Sequence, residues 1–431
     1  MKIAVIGTGY VGLVAGACFA ETGNDVVCVG RDQAALGALR RGKMPVFEPG
    51  LEALVRRNRA EKRLVFTSQV AAAVRPSAMA FIALEAPESE AASSDHPFAL
   101  EAARQIARAM TGYMVVVNLG TVPVGTAERV REVIRRETIH PFSVVSSPAF
   151  LERGAAVDTF MKPDRVVIGA EDPRATQLMM ELYSPFTRTS VPAMVMSCAS
   201  AEMVKYAANA MLATKVSLMN EMARVCELVG ADIDQVRRAV GADRRIGPGF
   251  MSPGLGFGGT GLTRDVRAIR TAASERGYDL QMLDAVERVN ARQRTLLVDK
   301  MRAHFGSLDG RTIAIWGLAF KPKTDDVREA PAVAVVEALL AAGAKVRAYD
   351  PEAMKAARGL FGPRVALVNG AYDALVGADA LGLLTEWNEF RRPDFAKMRK
   401  LMQSPVVFDG RNIYNRDQMK ADGFTYYAIG R

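Results

Sequence analysis

The first apolar run, Lys2 to Ile6, is short and β-branched and stops at a glycine-rich turn; small apolar residues then continue at helical spacing to about Thr22. Further strand-like runs occur at "DVVCVG", "AMAFIAL", "YMVVVNLG", "FSVVSSP" and "RVVIGA", and "SVPAMVMS" closes the series near Ser197. Helical patterns lie between several of them. Strands alternating with helices predict an α/β domain with a parallel, doubly wound sheet. From Ser200 to Val229 the chain has neither Gly nor Pro, and its apolar residues recur at helical spacing. One long helix is expected there, with Ser200 as its cap and Glu202 close behind. At 1.5 Å per residue it is about 45 Å long, more than one small domain covers. It is expected to join two domains and to offer a dimer surface. Helical patterns run on to about Phe305, and at Arg311 the α/β pattern restarts with "TIAIWGLAF", "PAVAVVEALLAAG" and "KVRAYDP". Strands are expected at "VALVN", "ALGLLTE" and "PVVFDG". The expected architecture is two Rossmann-like domains, residues 1–197 and 307–431, with a central helical region, 198–306, between them.

Composition narrows the class. The chain has 431 residues, of which 49% are hydrophobic and 24% charged, as in an ordinary globular protein with sizeable cores. No apolar run approaches the roughly 18 residues of a membrane span. The start enters a motif at once, unlike a signal peptide, so a cytoplasmic location is expected. Cys18, Cys28, Cys198 and Cys226 have no CxxC spacing and read as reduced, buried thiols. His96, His140 and His304 are isolated, so no metal site is expected. The net charge of +9 comes without a Lys/Arg block or aromatic interleaving. Attraction of small polyanions accounts for it better than nucleic acid does.

Gly7, Gly9 and Gly12 form GxGxxG between a strand and a helix, with Tyr10 and Val11 inside the motif. The three glycines suit a tight turn, close approach of a pyrophosphate and close helix packing, so a bound NAD is expected. An acid that binds the adenosine ribose normally ends the next strand. Here "VCVGRD" puts Gly30 and Arg31 there. A guanidinium in place of a carboxylate suits a 2′-phosphate, which keeps NADP open. Alternatively Asp32 substitutes, or Arg31 is a solvated surface residue.

The segments "KIAVIGTGYVGLVAGACFAETGNDV", "VFEPGLEALV", "GTVPVGT", "SPAFLERGAAVDTFMKPDRVVIGA", "AEMVKYAANAMLATKVSLMNEMA", "RIGPGF", "GFGGTGLTRD", "IWGLAFKPKTDDVREAP" and "LLTEWNEF" run in order along the chain. Together they resemble the UDP-glucose/GDP-mannose dehydrogenase family over nearly the whole length. The resemblance implies a cofactor domain, a dimerising helical region and a C-terminal domain for the nucleotide of a nucleotide sugar, a UDP-hexose foremost. It also implies oxidation of a C6 alcohol to an acid with two NAD, through a cysteine thioester.

Three places depart from the family pattern. Its loop GFGGSCFPKD is here GFGGTGLTRD, so Gly261 stands for the cysteine, Thr260 for Ser, Leu262-Thr263 for Phe-Pro and Arg264 for Lys. Its PEFLREG is here "PAFLERG", so Ala149 and Arg153 stand for two glutamates. A third change is "LEAP", where the family usually has GTP. By the same resemblance Thr121 lies beside the reacting carbon, Lys205 and Asn209 bind the substrate oxygen and a water, and Asp265 pairs with the lysine. Lys205 and Asn209 are spaced i, i+4, hence on one helix face. Arg245 is implied to reach the partner subunit's substrate. Lys321 and Arg328 are implied near substrate and cofactor phosphates. Phe150, Leu151, Phe257, Gly258 and Gly259 are implied to line the sugar nucleotide. The blander alternatives are a snorkelling Lys205, a helix-surface amide at Asn209, and a solvated cluster in which Asp325 and Asp326 neutralise Lys321 and Arg328. With the thiol and carboxylates gone, the expectation is a two-electron oxidation stopping at an aldehyde or ketone. Full four-electron oxidation through an aldehyde hydrate, and a catalytically silent binding subunit, are the alternatives.

Overall fold

A computed structural model describes residues 1–84, 96–187 and 191–431, so "LEAP" beyond Leu84 lies outside the described residues. The chain divides into two compact units, Met1–Ala208 with Arg267–Arg276, and Asn209–Val266 with Gly277–Arg431. Each holds one Rossmann-like sheet.

The first unit contains β1 (Lys2–Ile6), β2 (Asp25–Val29), β3 (Leu64–Thr67), β4 (Met79–Ile82), β5 (Met114–Asn118), β6 (Phe142–Ser146), β7 (Val166–Gly169) and β8 (Ala193–Met196). Their order is β3-β2-β1-β4-β5-β6-β7-β8, so the winding direction reverses between β1 and β4. Such a reversal opens a crevice beyond the strands' carboxyl ends, where ligands bind in this architecture. β4 and β5 are buried at every position, as expected for strands covered on both faces. One apolar layer includes Leu13, Phe19 and Phe81, and the other Ile82, Ile106 and Ile134.

One detail corrects the expected all-parallel sheet, and one strand adds to it. β7 pairs antiparallel with β6, through Ser146 and Gly169. The chain between them carries only the six-residue helix Ala156–Met161 and returns along the sheet instead of crossing it. β3 was not anticipated; four residues, "LVFT", are too few to show a period.

The second unit contains β9 (Thr312–Trp316), β10 (Lys345–Tyr349), β11 (Val365–Leu367), β12 (Ala380–Leu383), β13 (Val406–Asp409) and β14 (Thr425–Tyr427). Their order is β11-β10-β9-β12-β13-β14, with every pairing parallel. Trp316, Phe361, Phe390 and Phe408 are fully buried in its core.

The long helix spans Cys198–Val229. It starts before Ser200, and Ser197 is the capping side chain, its Oγ accepting from the Ser200 N–H at 3.2 Å. Glu202 is not part of that cap; it is only 3% exposed and serves another element. Among the described residues no helix is long and apolar enough to cross a membrane. All four cysteines are free and buried.

Candidate functional site

In the first unit, the turn after β1 has the three-glycine geometry in full. Gly7 has φ +135°, and a Cβ there would lie 2.3 Å from the Ala83 carbonyl oxygen. A Cβ on Gly12 would lie 2.3 Å from the Gly7 carbonyl, so the helix Tyr10–Glu21 is seated directly on the turn. A Cβ on Gly9 would meet nothing within 4 Å. Gly9 also caps that helix, whose first turn carries no acid. Open space at Gly9 and the positive end of the helix dipole are what a pyrophosphate needs. The residues therefore fit a dinucleotide. Val11 packs partly into the core, and Tyr10 is buried.

Tyr10 donates to Glu48 at 2.6 Å, and the Arg153 guanidinium lies 4.2 Å from the Tyr10 ring centre. Glu48, 5% exposed, also accepts from the Gly154 and Ala156 N–H groups at 2.7 Å each. One buried carboxylate thus joins the dinucleotide loop to the "PAFLERG" loop. Ala149, at the first family glutamate position, uses its backbone instead: its N–H donates to the Leu119 carbonyl, and its carbonyl accepts from Lys205 Nζ at 3.0 Å. The Phe150 ring lies under two cations, Arg165 at 3.7 Å and Lys205 at 4.9 Å. Burial lowers the Arg165 pKa, against the pull of Asp164. Phe150 and Lys205 lie together, while Leu151 packs partly against the core.

Thr121 sits on the loop after β5, and Glu202 fixes that loop. Its carboxylate accepts from Gly125 N–H at 2.6 Å, Ala127 N–H at 2.9 Å and Ser146 Oγ at 2.9 Å. Glu202 therefore caps the helix Thr126–Glu137 from three residues before Lys205. Burial raises its pKa, against those three hydrogen bonds.

In the second unit, Asn209 Nδ2 donates to Asp265 Oδ2 at 2.6 Å, and Arg264 Nε lies 3.3 Å from Asp265 Oδ1. Asp265 is 2% exposed and has a partner on each oxygen. Gly261 lies in the first turn of the helix Thr260–Ser274, and a Cβ there would meet no atom within 4 Å. The Thr263 hydroxyl, by contrast, is buried. Phe257 is 9% exposed and bonds through its backbone to Asn290. Gly258 and Gly259 are glycines for a packing reason: Cβ atoms there would lie 2.4 Å from the Glu329 carbonyl and 2.7 Å from the Phe320 ring. That seats the loop against "FKPKTDDVRE". Arg328 is held by both oxygens of Asp326, at 2.9 and 2.7 Å, which matches the neutralised-cluster alternative for this arginine. Lys321 is half-buried on the same segment. Arg245 projects into solvent, 88% exposed and paired with Asp243.

Glu48 was not singled out from the sequence, and Glu202 was read only as part of the start of the long helix. An acid inside an apolar stretch such as "VFEPGL" is the one available signal, and it does not name its partners.

Known proteins give the same picture by comparison. Residues 1–187 match the NAD binding domain of the UDP-glucose/GDP-mannose dehydrogenase family, 199–292 its central domain and 314–416 its UDP binding domain. The chain is 48% identical over 442 aligned residues to a UDP-glucose 6-dehydrogenase of Pseudomonas aeruginosa, covering 100% of this chain and 98% of that protein. It is 43% identical to the UDP-glucose 6-dehydrogenase TuaD of Bacillus subtilis, covering 100% of this chain and 93% of that one. Among solved structures, a UDP-glucose dehydrogenase from Pyrobaculum islandicum superposes with a TM-score of 0.91 at 35% identity, covering 99% of this chain and 96% of that one.

Proposed function

The chain belongs to the UDP-glucose/GDP-mannose dehydrogenase family, and we propose that it oxidises one alcohol of a UDP-hexose to a carbonyl and stops there. Its cofactor is NAD, and bound NAD supplies the acceptor for the electron pair. The observation that carries the two-electron reading is Gly261, which has no side chain where the family resemblance puts the thiol. No other thiol replaces it. Burial pushes the Cys18 and Cys198 pKa values up and that of Cys28 up to about 12, and Cys226 is buried as well. A thiol held protonated is a poor nucleophile. Thr260 is a hydroxyl without a neighbouring histidine, and an unassisted alcohol does not form the adduct.

The residues that remain serve the first oxidation. Lys205 exchanges a proton with the substrate alcohol, and Asn209 orients its oxygen. Asp265 balances the local positive charge, and Thr121 bounds the reacting carbon. Residues 1–197, 198–306 and 307–431 act as cofactor, dimerisation and nucleotide domains of a cytoplasmic homodimer. The dimer reading draws support from the apolar face of the long helix, where Met211, Leu218, Met222, Val225 and Val229 are exposed.

Full oxidation to the acid through an aldehyde hydrate is the second reading, favoured by 48% identity to a UDP-glucose 6-dehydrogenase. Counting reduced nicotinamide per UDP-glucose separates the two. One per substrate, with a carbonyl product found by mass spectrometry, is expected. Two per substrate and a uronate would establish the second reading, and no turnover with any nucleotide sugar would leave a binding subunit.

A further inference from the structure

In this fold the end of β2 decides which adenosine ribose is accepted, a carboxylate suiting a free diol and a cation a 2′-phosphate. Three neighbouring residues bear on the matter here. Gly30 directly follows β2, its N–H donating to the Thr67 carbonyl at 3.0 Å. A Cβ at Gly30 would lie 2.6 Å from Thr8 Oγ1, 3.1 Å from Thr8 Cγ2 and 3.0 Å from Leu36 Cδ2. Thr8, the second residue of the dinucleotide loop itself, therefore fills the space an acidic side chain at position 30 would start from. An acid cannot return there unless Thr8 moves.

The next acid along is already committed. Asp32 caps the helix Gln33–Arg40, its Oδ1 accepting from Ala34 N–H at 2.8 Å and Ala35 N–H at 3.2 Å. Between the two stands Arg31, exposed, with no hydrogen bond among the described residues. Its charge is felt at Glu101 on the helix Pro97–Ala109, where it adds to the larger effects of Gln105 and Arg104 in lowering that carboxyl. The rim thus offers a hydroxyl and a guanidinium, and the Asp32 carboxylate is tied to helix N–H groups.

We propose that this site takes NADP as well as NAD and binds it more tightly, Arg31 holding the 2′-phosphate while the Thr8–Gly30 contact keeps out the carboxylate that would repel it. The proposal rests on the reading of Gly7–Gly12 as the dinucleotide site. Calorimetric titration of the full chain with 2′,5′-ADP and 5′-ADP, then with NADP and NAD, tests it without turnover. The 2′-phosphate is expected to tighten binding about tenfold or more, the scale of a charge-assisted hydrogen bond. The advantage is expected to shrink with added salt and to collapse to a ratio near one in Arg31→Ala. Gly30→Asp alone is expected to weaken both ligands, and Thr8→Gly with Gly30→Asp to reverse the preference. Equal or tighter binding of the ligands without the 2′-phosphate would overturn the proposal, as would a preference that survives Arg31→Ala. Recovery of a diol preference by Gly30→Asp alone would overturn the role given to Thr8. If none of the four ligands binds, the dinucleotide site itself is wrong, and this proposal falls with it.

Discussion

Lys205 places Nζ on the Ala149 carbonyl and near the Phe150 ring. Replacing it with alanine removes the group proposed to exchange the proton and leaves the Gly7–Gly12 loop untouched. Lys205→Ala is therefore expected to lower kcat by about 10²–10⁴-fold with dinucleotide affinity retained, measured by steady-state kinetics and titration. A parallel loss of cofactor binding would mean that the substitution disturbs the fold. Gly261 gives the opposite kind of prediction. A Cβ there touches nothing within 4 Å, so Gly261→Cys is expected to change stability by less than about 0.5 kcal/mol. It is also expected to yield no uronate, because Ala149 and Arg153 still stand where the family resemblance implies carboxylates. Acid formation by this single variant would make the missing thiol the sole defect.

Glu202 connects two elements that sequence alone keeps apart, the long helix and the Thr121 loop. Its carboxyl is raised above the usual 4.5, first by burial and against its hydrogen bonds. The unfolded chain releases this proton near 4.5, while the folded protein keeps it to a higher pH. Its contribution therefore favours the folded state fully below 4.5 and declines as pH rises through the raised value. Glu202→Gln is expected to flatten that part of the stability–pH curve, read from urea melts at several pH values. An unchanged slope would show that another group produces it. On the same helix Met211, Leu218, Met222, Val225 and Val229 are exposed at alternating four- and three-residue or seven-residue steps, the spacing of a coiled-coil seam. Leu218→Glu with Val225→Glu is expected to turn the proposed dimer into monomers by light scattering. A wild-type monomer at micromolar concentration would remove the dimer altogether.

At the scale of the whole chain, the net charge of +9 faces a substrate and a cofactor that are both anionic. Long-range attraction of this kind acts on encounter and is screened within about 10 Å at 0.1 M salt. The ratio kcat/KM is therefore expected to fall as ionic strength rises, with kcat much less affected. A kcat/KM indifferent to salt would confine the excess charge to surfaces away from the site.

The dinucleotide turn and the long helix were legible in the sequence because both are local. Gly7, Gly9 and Gly12 answer to constraints within one strand-turn-helix, and an unbroken apolar period needs no distant partner to be read. The same holds for the two α/β patterns. What the sequence left open depends on which distant segments the sheet order makes neighbours. Glu48 meets Gly154 and Ala156 across 106 and 108 residues, and Glu202 meets Gly125 and Ala127 across 77 and 75. No spacing rule connects positions so far apart. The antiparallel turn of β7 and the short strands β3 and β14 were likewise settled by pairing, since three or four residues carry too little pattern of their own. Gly30 shows the division in one place. Its identity removes an acid on paper, but only the fold reveals that Thr8 occupies the space, because a Cβ contact of 2.6 Å is a property of packed neighbours and not of the chain.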